Sequence, residues 1–198
     1  MKFVLATQNP KKLTEMSAIL SDLGVEVVSE ADLGVKIEVE ETGETFAENS
    51  LLKAKAVMEA TKLPAIADDS GLCVDALNGG PGVYSARFGG EGLDDTGRYR
   101  LLLQMLHGQA DRRAHFHTTI TCAFPNGDVL QDDGEVEGTI AFAPMGENGF
   151  GYDPVFFVPD KRKTFAQLTA EEKAEISHRG KALRAFKETL KNYLVEHQ

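Results

Sequence analysis

Ala65-Ile66-Ala67-Asp68-Asp69-Ser70-Gly71 is the stretch that decides how the chain folds. A short apolar run ends in two carboxylates, a hydroxyl and a glycine, which is the pattern of a buried strand that delivers acidic groups to the rim of a sheet. Because successive side chains on extended backbone point to opposite faces, we predict different tasks for Asp68 and Asp69. An ordinary turn is the alternative, since Asp, Ser and Gly are common turn residues.

The length and charge of the chain limit the classes of protein to consider. Its 198 residues are enough for a core that needs no covalent staples, and we predict a single domain over residues 1–198. The net charge of -10 argues against binding a nucleic-acid backbone, which requires a basic surface. A local cluster of lysines or a bound divalent cation can still attract phosphate in one cleft.

The cysteines and the N-terminus indicate a compartment. Cys73 and Cys122 stand in apolar or β-branched surroundings, so we predict two reduced core residues. The apolar run at residues 1–6 is too short for a signal peptide, and no run approaches the length of a membrane span. We therefore expect a soluble cytoplasmic protein with no membrane partner.

The first loop has the chemistry of a phosphate site. Residues 2–6 are predicted as a strand and residues 11–23 as a helix, joined by Thr7-Gln8-Asn9-Pro10-Lys11-Lys12. A strand-to-helix junction directs backbone N–H groups and a helix dipole outward, and Lys12 adds a positive charge. The spacing is not that of a Walker loop, and an ordinary loop with solvated lysines is the alternative.

An acidic stretch, residues 38–44, precedes a second helix. Thr45-Phe46-Ala47-Glu48 is a capping-box pattern that predicts a helix through about residue 61. Asn49 and Lys53 are four residues apart, so they share a face of that helix. Lys53 could bind a ligand or, alternatively, pair with Glu44 or Glu48 on the surface.

Glu40 or Glu41 could supply a second carboxylate to a cation that the strand-end aspartates bind. After the aspartates we expect a turn at residues 68–71 and an extended segment at residues 72–77. Asp94 or Asp95 can cap a further helix.

Residues 114–124 alternate apolar and polar side chains, which predicts a strand buried on one face only. Residues 125–128 then turn the strand into a hairpin. His115 and His117 have a spacing that could hold zinc, but no third ligand is obvious nearby, and a polar strand face is the favoured interpretation.

Two late motifs suggest a site for a planar ligand. In Gly149-Phe150-Gly151-Tyr152-Asp153-Pro154 an aromatic ring stands between glycines, so the ring can lie against a nucleobase; a core aromatic at a turn is the alternative. A second capping box at residues 169–172 precedes Lys173 and the segment Ser177-His178-Arg179-Gly180. These cations near helix starts oppose the helix dipole, which predicts an anionic group or ligand beside them.

Seven motifs follow one another along the chain: Thr7-x-Asn9-x-x-Lys12, Glu40-Glu41-Thr42-Gly43-x-Thr45-Phe46-x-Glu48-Asn49, Lys53-Ala54, Ala67-Asp68-Asp69-Ser70-Gly71-Leu72, Pro81-Gly82-x-x-Ser85-Ala86-Arg87, Gly149-Phe150-Gly151-Tyr152-Asp153-Pro154 and Ile176-Ser177-His178-Arg179-Gly180. Each motif alone is weak, but their ordered combination resembles the Ham1/RdgB family over essentially the full length. Members of this family are inosine/xanthosine triphosphate pyrophosphatases that cleanse the nucleotide pool.

The resemblance implies an α/β fold with a long, twisted mixed β-sheet flanked by helices, two lobes and a central cleft, and assembly as a homodimer. It also implies Mg²⁺-dependent hydrolysis of purine nucleoside triphosphates, namely ITP, dITP, XTP and dXTP. The bond cleaved is the one between the α and β phosphates, and the products are the monophosphate and pyrophosphate.

The resemblance also implies a role for each matching residue. Glu40 and Asp69 ligate Mg²⁺, Asp69 is the catalytic base, and Lys53 neutralises a phosphate. The triphosphate is held by a loop that contains Thr7, Gln8, Asn9 and Lys12. The remaining substrate contacts are Ser70, Phe150, which stacks on the base, Gly151, Tyr152, Asp153, Lys173, His178 and Arg179.

Two alternatives stay open at this point. One is a nucleotide pyrophosphatase with another base preference, and the other is a nucleotide sensor without catalysis. The presence of both metal carboxylates and both phosphate lysines counts against the sensor.

Overall fold

The computed structural model describes residues 1–197. Over these residues the chain forms eight β-strands and five α-helices. The strands are β1 (Lys2–Leu5), β2 (Glu26–Ser29), β3 (Ala65–Val74), β4 (Gly80–Pro81), β5 (Arg113–Ala123), β6 (Val129–Ile140), β7 (Phe156–Val158) and β8 (Lys163–Thr164). The helices are α1 (Pro10–Leu20), α2 (Phe46–Thr61), α3 (Asp95–Met105), α4 (Ala170–Ile176) and α5 (His178–Glu196). Short 3₁₀ helices lie at Ser21–Leu23, Ala31–Leu33, Asp75–Leu77, Gly82–Arg87, Pro159–Lys161 and Phe165–Gln167.

All of the strands of residues 1–197 belong to one mixed sheet. Its order is β2-β1-β3-β5-β6-β7-β8, and β4 pairs with β3. β1 is parallel to both β2 and β3, whereas the pairs β3–β4, β6–β7 and β7–β8 are antiparallel. The predicted α/β class, a mixed sheet flanked by helices, is confirmed.

The strand that carries the two aspartates is longer than predicted. β3 runs from Ala65 to Val74 without a break, so the predicted turn at residues 68–71 is wrong. β1 pairs with β3 only at Ala65 and Ile66, and beyond them β3 no longer has β1 beside it. There the ammonium of Lys53 donates a hydrogen bond to the carbonyl oxygen of Asp68, at 2.8 Å. The carboxylates therefore lie within a strand, at the point where one neighbouring strand stops.

The chain divides into two compact units. Unit 1 comprises residues 1–69, 118–134 and the described residues from 182 onward, and unit 2 comprises residues 70–117 and 135–181. The chain passes from one unit to the other four times: within β3, within β5 between residues 117 and 118, within β6, and within α5 between residues 181 and 182. The single domain over residues 1–198 stays a prediction.

Unit 1 buries both faces of its part of the sheet. On one face Phe3 and Ile66 share a core cluster with Met16 of α1 and Phe186 of α5. On the other face Val4, Ala65 and Val57 of α2 pack together. The helices thus cover β1 and β3 from both sides, which explains the continuous apolar run before the aspartates.

Unit 2 has its own core, built around aromatic rings. The Phe116 ring lies 4.6 Å from the ring of Phe156 and 5.6 Å from that of Phe165, between centroids. Leu102 and Leu106 of α3 are buried in the same cluster.

The predicted alternation of β5 holds only in its first half. Thr119 and Thr121 are buried although we expected them on an exposed face. The hydroxyl oxygen of Thr121 lies 2.6 Å from that of Ser50 on α2, and Gln131 Nε2 donates to it at 2.9 Å. Because α2 covers this face, the polar side chains pair with each other and not with water.

Side-chain caps begin four of the predicted helices in the described residues, at Asn9, Thr45, Asp94 and Thr169. Thr45 Oγ1 accepts from the Glu48 N–H at 3.1 Å and Glu48 Oε2 accepts from the Thr45 N–H at 3.3 Å, which confirms the capping box at α2. α1 ends at Leu20, earlier than predicted, because Ser21–Leu23 tighten into a 3₁₀ helix before Gly24 at a φ of 67°. None of the helices in residues 1–197 is both long and apolar enough to cross a membrane.

Candidate active site

Asp68 and Asp69 have different partners, as the alternation of a strand requires. Asp68 Oδ2 accepts a hydrogen bond from Lys12 Nζ of α1 at 2.7 Å. Asp69 Oδ1 lies 3.3 Å from Lys53 Nζ of α2. The two carboxylates are therefore held by helices on opposite faces of the sheet in unit 1.

Lys53 is the centre of the first group of charged side chains. Its Nζ lies 2.8 Å from Glu41 Oε1, 2.8 Å from the carbonyl oxygen of Asp68 and 3.3 Å from Asp69 Oδ1. Burial opposes the charged form, but the neighbouring Asp69 and Glu41 outweigh it and raise the pKa of Lys53. Glu48 serves the capping box, so the surface pairing considered for Lys53 is replaced by an internal one.

Asp69 carries a buried oxygen that could accept a cation. Its Oδ2 is buried, and no donor among residues 1–197 reaches it with normal hydrogen-bond geometry, although the Asn49 side chain of α2 acts on this carboxyl group and opposes the rise in its pKa. Burial raises the pKa of Asp69, Lys53 opposes this rise, and Glu41 adds to it. A buried carboxylate oxygen without a donor is costly unless a further positive group reaches it. Hard divalent cations prefer carboxylate oxygens, so this atom fits a metal ligand.

Glu41, and not Glu40, supplies the second carboxylate of the group. The Glu40 side chain is exposed, while Glu41 is half-buried against Lys53. In the described part of the chain no three His, Cys, Asp or Glu side chains are grouped so that they could hold a metal ion. Mg²⁺ is commonly bound by only one or two carboxylates together with substrate phosphates, so a carboxylate pair is sufficient. Glu40 as a metal ligand stays a prediction.

The loop from Thr7 to Lys12 joins β1 to α1. Asn9 is the N-cap of α1, where its Oδ1 accepts from the Lys11 N–H at 3.0 Å. This bond leaves the amide nitrogen of Asn9 as a donor, and Gln8 beside it is exposed. The unpaired N–H groups and the dipole at a helix N-terminus favour an anion. The phosphate contacts of Thr7, Gln8, Asn9 and Lys12 remain predictions.

The partner of Asp68 gives that residue a task that the sequence did not suggest. Asp68 is 5% exposed, and its ion pair with Lys12 balances its charge. An anion that approaches Lys12 therefore competes with Asp68 for the ammonium group.

Unit 2 carries the second group, centred on an exposed ring. The Phe150 ring is 72% exposed, and Lys173 Nζ lies 4.9 Å from its centroid. Lys173 Nζ also lies 2.6 Å from Asp153 Oδ2. Burial raises the pKa of Asp153, and Lys173 opposes the rise. An exposed ring beside a cation is available to stack on a planar, electron-rich ligand.

His178 belongs to the same part of unit 2. It begins α5, and its ring lies 4.8 Å from the Phe116 ring, with 12° between the ring planes. Phe165 lies close to two predicted substrate contacts, at 5.3 Å from Lys173 Nζ and 6.5 Å from the His178 ring. Arg179 follows on α5 and is half-buried. The positions of His178 and Arg179 are compatible with their predicted roles.

Tyr152 is placed differently from its neighbours. Its side chain is 6% exposed, and its hydroxyl donates to the Ser85 carbonyl oxygen at 2.6 Å. Burial raises the pKa of this phenol to about 12. Only the main chain of Tyr152 is left for a substrate contact. Ser70 is half-buried in β3, next to Asp69, and its contact also stays a prediction.

Two residues that support the Phe150 loop were missed from the sequence. Asp95 Oδ2 accepts from the Gly151 N–H at 2.8 Å. Ser85 accepts the Tyr152 hydroxyl on its carbonyl oxygen, and its own Oγ accepts from the Leu72 N–H at 2.9 Å. The sequence did contain a signal for Asp95: a helix needs only one N-cap, so the second of the adjacent residues Asp94 and Asp95 is available for another role.

The fold and the two groups define a class: an α/β protein with a lysine and carboxylate cluster and an exposed aromatic platform. The Ham1 family model matches residues 3–189 of the chain. A protein from Thermus thermophilus named dITP/XTP pyrophosphatase is 51% identical over 193 residues, which are 97% of this chain and 93% of that protein. A protein of the same name from Escherichia coli (strain K12) is 49% identical over 195 residues, 96% of this chain and 98% of its own.

A solved structure agrees with these relatives. The Staphylococcus aureus Ham1 protein superposes with a TM-score of 0.93 at 42% identity, covering 98% of this chain and 100% of that one. The chain belongs to the Ham1 family, which confirms the resemblance seen in its motifs.

Proposed function

We propose that the protein is a Mg²⁺-dependent pyrophosphatase for non-canonical purine nucleoside triphosphates, and that it removes ITP, dITP, XTP and dXTP from the nucleotide pool. The products are the nucleoside monophosphate and pyrophosphate. The observation that carries this proposal is the Asp69 carboxylate: its Oδ1 lies 3.3 Å from Lys53 Nζ, and its buried Oδ2 accepts no hydrogen bond of normal geometry among residues 1–197. Relatives that share about half of their residues with this chain and are named dITP/XTP pyrophosphatase support it.

The phosphate groups are bound by the loop from Thr7 to Lys12 and by Lys53 of α2. Lys12 and Lys53 neutralise phosphate charge, and Asn9 offers its amide nitrogen because its oxygen caps α1. Thr7 and Gln8 contribute the main chain of the same loop. When phosphate binds, Lys12 transfers from Asp68 to the ligand, so the lysine is already oriented before substrate arrives.

Glu40 and Asp69 would hold Mg²⁺, and Glu41, which lies beside Lys53, is the alternative second carboxylate. When bound, Mg²⁺ neutralises charge on the triphosphate and promotes ionisation of a nearby water. Asp69 accepts a proton from the attacking water, as a carboxylate within hydrogen-bond reach of that water can do. Lys53 remains protonated because Asp69 and Glu41 stabilise its charge, so it acts as an electrostatic group and not as the base.

The purine is bound by the Phe150 loop and by side chains of α4 and α5. Phe150 stacks on the base, Gly151 and Tyr152 contact it through the main chain, and Ser70 contacts the substrate. Lys173, His178 and Arg179 are donors suited to the 6-keto oxygen of hypoxanthine or xanthine, and Asp153 orients Lys173. Adenine has an amino group at this position, so these donors discriminate against it. We infer that guanine is rejected because the pocket has no room or no partner for its 2-amino group.

The same proposal includes assembly and compartment. We propose a homodimer that acts in the cytoplasm and binds neither nucleic acid nor membranes. Both cysteines are free thiols, which suits a reducing compartment, and the net charge of -10 disfavours nucleic acid.

Product identity tests the proposed reaction. Purified protein is incubated with ITP and Mg²⁺, and the products are separated by anion-exchange chromatography. We expect IMP and pyrophosphate in equal amounts, with no reaction after chelation of the metal. IDP with orthophosphate would identify a phosphatase, and unchanged ITP that nevertheless binds tightly would identify a sensor.

A further inference from the structure

The main chain on both sides of Phe150 is held by carboxylates. The Phe150 N–H donates to Asp153 Oδ2 at 3.0 Å, and the Gly151 N–H donates to Asp95 Oδ2 at 2.8 Å. Asp153 belongs to the loop itself, whereas Asp95 reaches it from α3, 56 residues away in sequence. The two peptide units that flank Phe150 are therefore fixed from two directions.

Fixing the main chain matters because little else holds the ring. Phe150 is 72% exposed, so core packing does not set its orientation. Gly149 and Gly151 have φ angles of 73° and 61°, a region that glycine enters without strain and from which it can also depart easily. Hydrogen bonds to the flanking peptides are thus the main restraint on where the ring points.

Asp95 is available for this bond because its neighbour caps the helix. Asp94 Oδ1 accepts from the Gly97 N–H at 2.7 Å, which is the N-cap bond of α3. Arg98 NH1 lies 3.2 Å from Asp95 Oδ1, so one carboxylate oxygen pairs with the guanidinium and the other accepts from Gly151. The Asp95 side chain is thereby oriented toward the loop.

We propose that Asp95 is a positioning residue for the nucleobase: it fixes the Gly151 peptide and so sets the Phe150 ring in the orientation that stacks on the purine. This inference rests on the proposed function, because it assigns the Phe150 loop to the base. Asp95 acts through the loop and makes no contact with the substrate itself.

Three variants separate positioning from simple stability. Asp95→Ala removes the acceptor, Asp95→Asn retains a side-chain oxygen that can accept from Gly151, and Asp94→Ala removes only the N-cap. Loss of a hydrogen bond to a charged group corresponds to about a tenfold change in affinity, so we expect KM for ITP to rise about tenfold in Asp95→Ala with kcat within about twofold. In Asp95→Asn we expect KM to be close to that of the unaltered protein, because the amide oxygen replaces the carboxylate as acceptor. In Asp94→Ala we expect a lower thermal midpoint and an unchanged KM.

Inorganic tripolyphosphate tests whether the effect is confined to the base. Its inhibition constant is expected to be equal in Asp95→Ala and the unaltered protein, because the phosphate ligands belong to other residues. Equal weakening of tripolyphosphate and ITP would overturn the proposal, as would a KM for Asp95→Ala that matches Asp94→Ala.

Hydrogen exchange distinguishes failure of this inference from failure of the proposed function. Amides of residues 149–153 are expected to exchange faster in Asp95→Ala than in Asp94→Ala, whether or not ITP is a substrate. Unchanged exchange in this loop overturns the role of Asp95. A protein that leaves ITP intact but shows the faster exchange overturns the proposed function and keeps the restraint on the loop.

Discussion

At the scale of single residues, the pair Asp68 and Asp69 shows how one strand assigns two tasks to one residue type. Asp68 faces Lys12 and is neutralised by it, whereas Asp69 shares Lys53 with Glu41 and keeps one buried oxygen without a hydrogen bond of normal geometry. Asp68 is thus neutralised in an ion pair, whereas Asp69 has an oxygen that can bind a cation. The chemistry is therefore expected at Asp69.

Asp69→Asn is predicted to lower kcat for ITP by about 100-fold or more, because an amide neither accepts the proton of water nor ligates a cation well. Binding of ITP should persist, as measured by equilibrium titration. The thermal midpoint should not fall, because burial raises the pKa of Asp69 and the ionised carboxylate is the costlier form there.

Asp68→Asn is the matched control for this prediction. It removes the partner of Lys12 and leaves the Lys53 group intact, so we expect a smaller fall in kcat and a change in KM. A larger loss of kcat in Asp68→Asn than in Asp69→Asn would transfer the catalytic role to Asp68.

The sequence predicted these residue types but not their partners. The alternation of a strand was enough to separate Asp68 from Asp69. Lys12 and Asp68 are 56 residues apart, and neither periodicity nor capping rules relate positions at that distance. The choice of Glu41 over Glu40 beside Lys53 likewise depends on how an irregular segment lies on α2, which no regular pattern encodes.

At the scale of elements, the loop before β7 depends on two glycines with different surroundings. Gly149 has a φ of 73°, and a Cβ built there collides with Asp153 Oδ2. Gly151 has a φ of 61°, but open space surrounds its Cβ position. The positive φ favours glycine at both positions, but only at Gly149 would a side chain also collide with a neighbouring residue.

Gly149→Ala is therefore predicted to damage the loop more than Gly151→Ala. Both variants incur left-handed strain of about 1–2 kcal/mol, but only Gly149→Ala displaces Asp153 and with it Lys173. We expect KM for ITP to rise at least about tenfold in Gly149→Ala and less in Gly151→Ala. Steady-state kinetics give KM for ITP in each variant. An equal rise of KM in both variants would show that backbone strain alone is responsible.

Elements with local signals were predictable, and elements defined by neighbours were not. The capping box at Thr45 correctly began α2, because it involves only adjacent residues. The turn expected at residues 68–71 was wrong, because Asp, Ser and Gly were taken as turn residues while β3 continues through them. The continuation depends on Lys53 and on neighbouring strands, which lie elsewhere in the sequence.

At the scale of the whole molecule, each unit buries a separate core, and each unit contains one cysteine. Cys122 is fully buried in unit 1, and Cys73 is half-buried in unit 2. Burial, assisted by the nearby Glu135 and Asp75, raises the pKa of the Cys73 thiol to about 11. Burial also raises the pKa of Cys122 strongly.

Both thiols are predicted to react slowly with a disulfide reagent in the folded protein near neutral pH. The thiolate is the reactive form, and a raised pKa means that it accumulates only as the pH approaches that pKa. Absorbance of the released thiol should show slow reaction in buffer, faster reaction of Cys73 with rising pH, and rapid reaction of both cysteines in concentrated guanidinium. Rapid labelling of the folded protein would show that the interior is more open than described.

The preference for one base over another is the sharpest test of the proposed hydrolysis of non-canonical purine nucleoside triphosphates. Initial rates of pyrophosphate release are measured for ITP, XTP, GTP, ATP and dTTP at equal concentrations with Mg²⁺. The donors at Lys173, His178 and Arg179 predict that ITP and XTP turn over at least about tenfold faster than ATP, which has no 6-keto oxygen. The rejection of the 2-amino group predicts the same margin over GTP, and the assignment of the site to purines predicts it over dTTP. Equal turnover of ATP and ITP would contradict the proposed specificity for non-canonical purines.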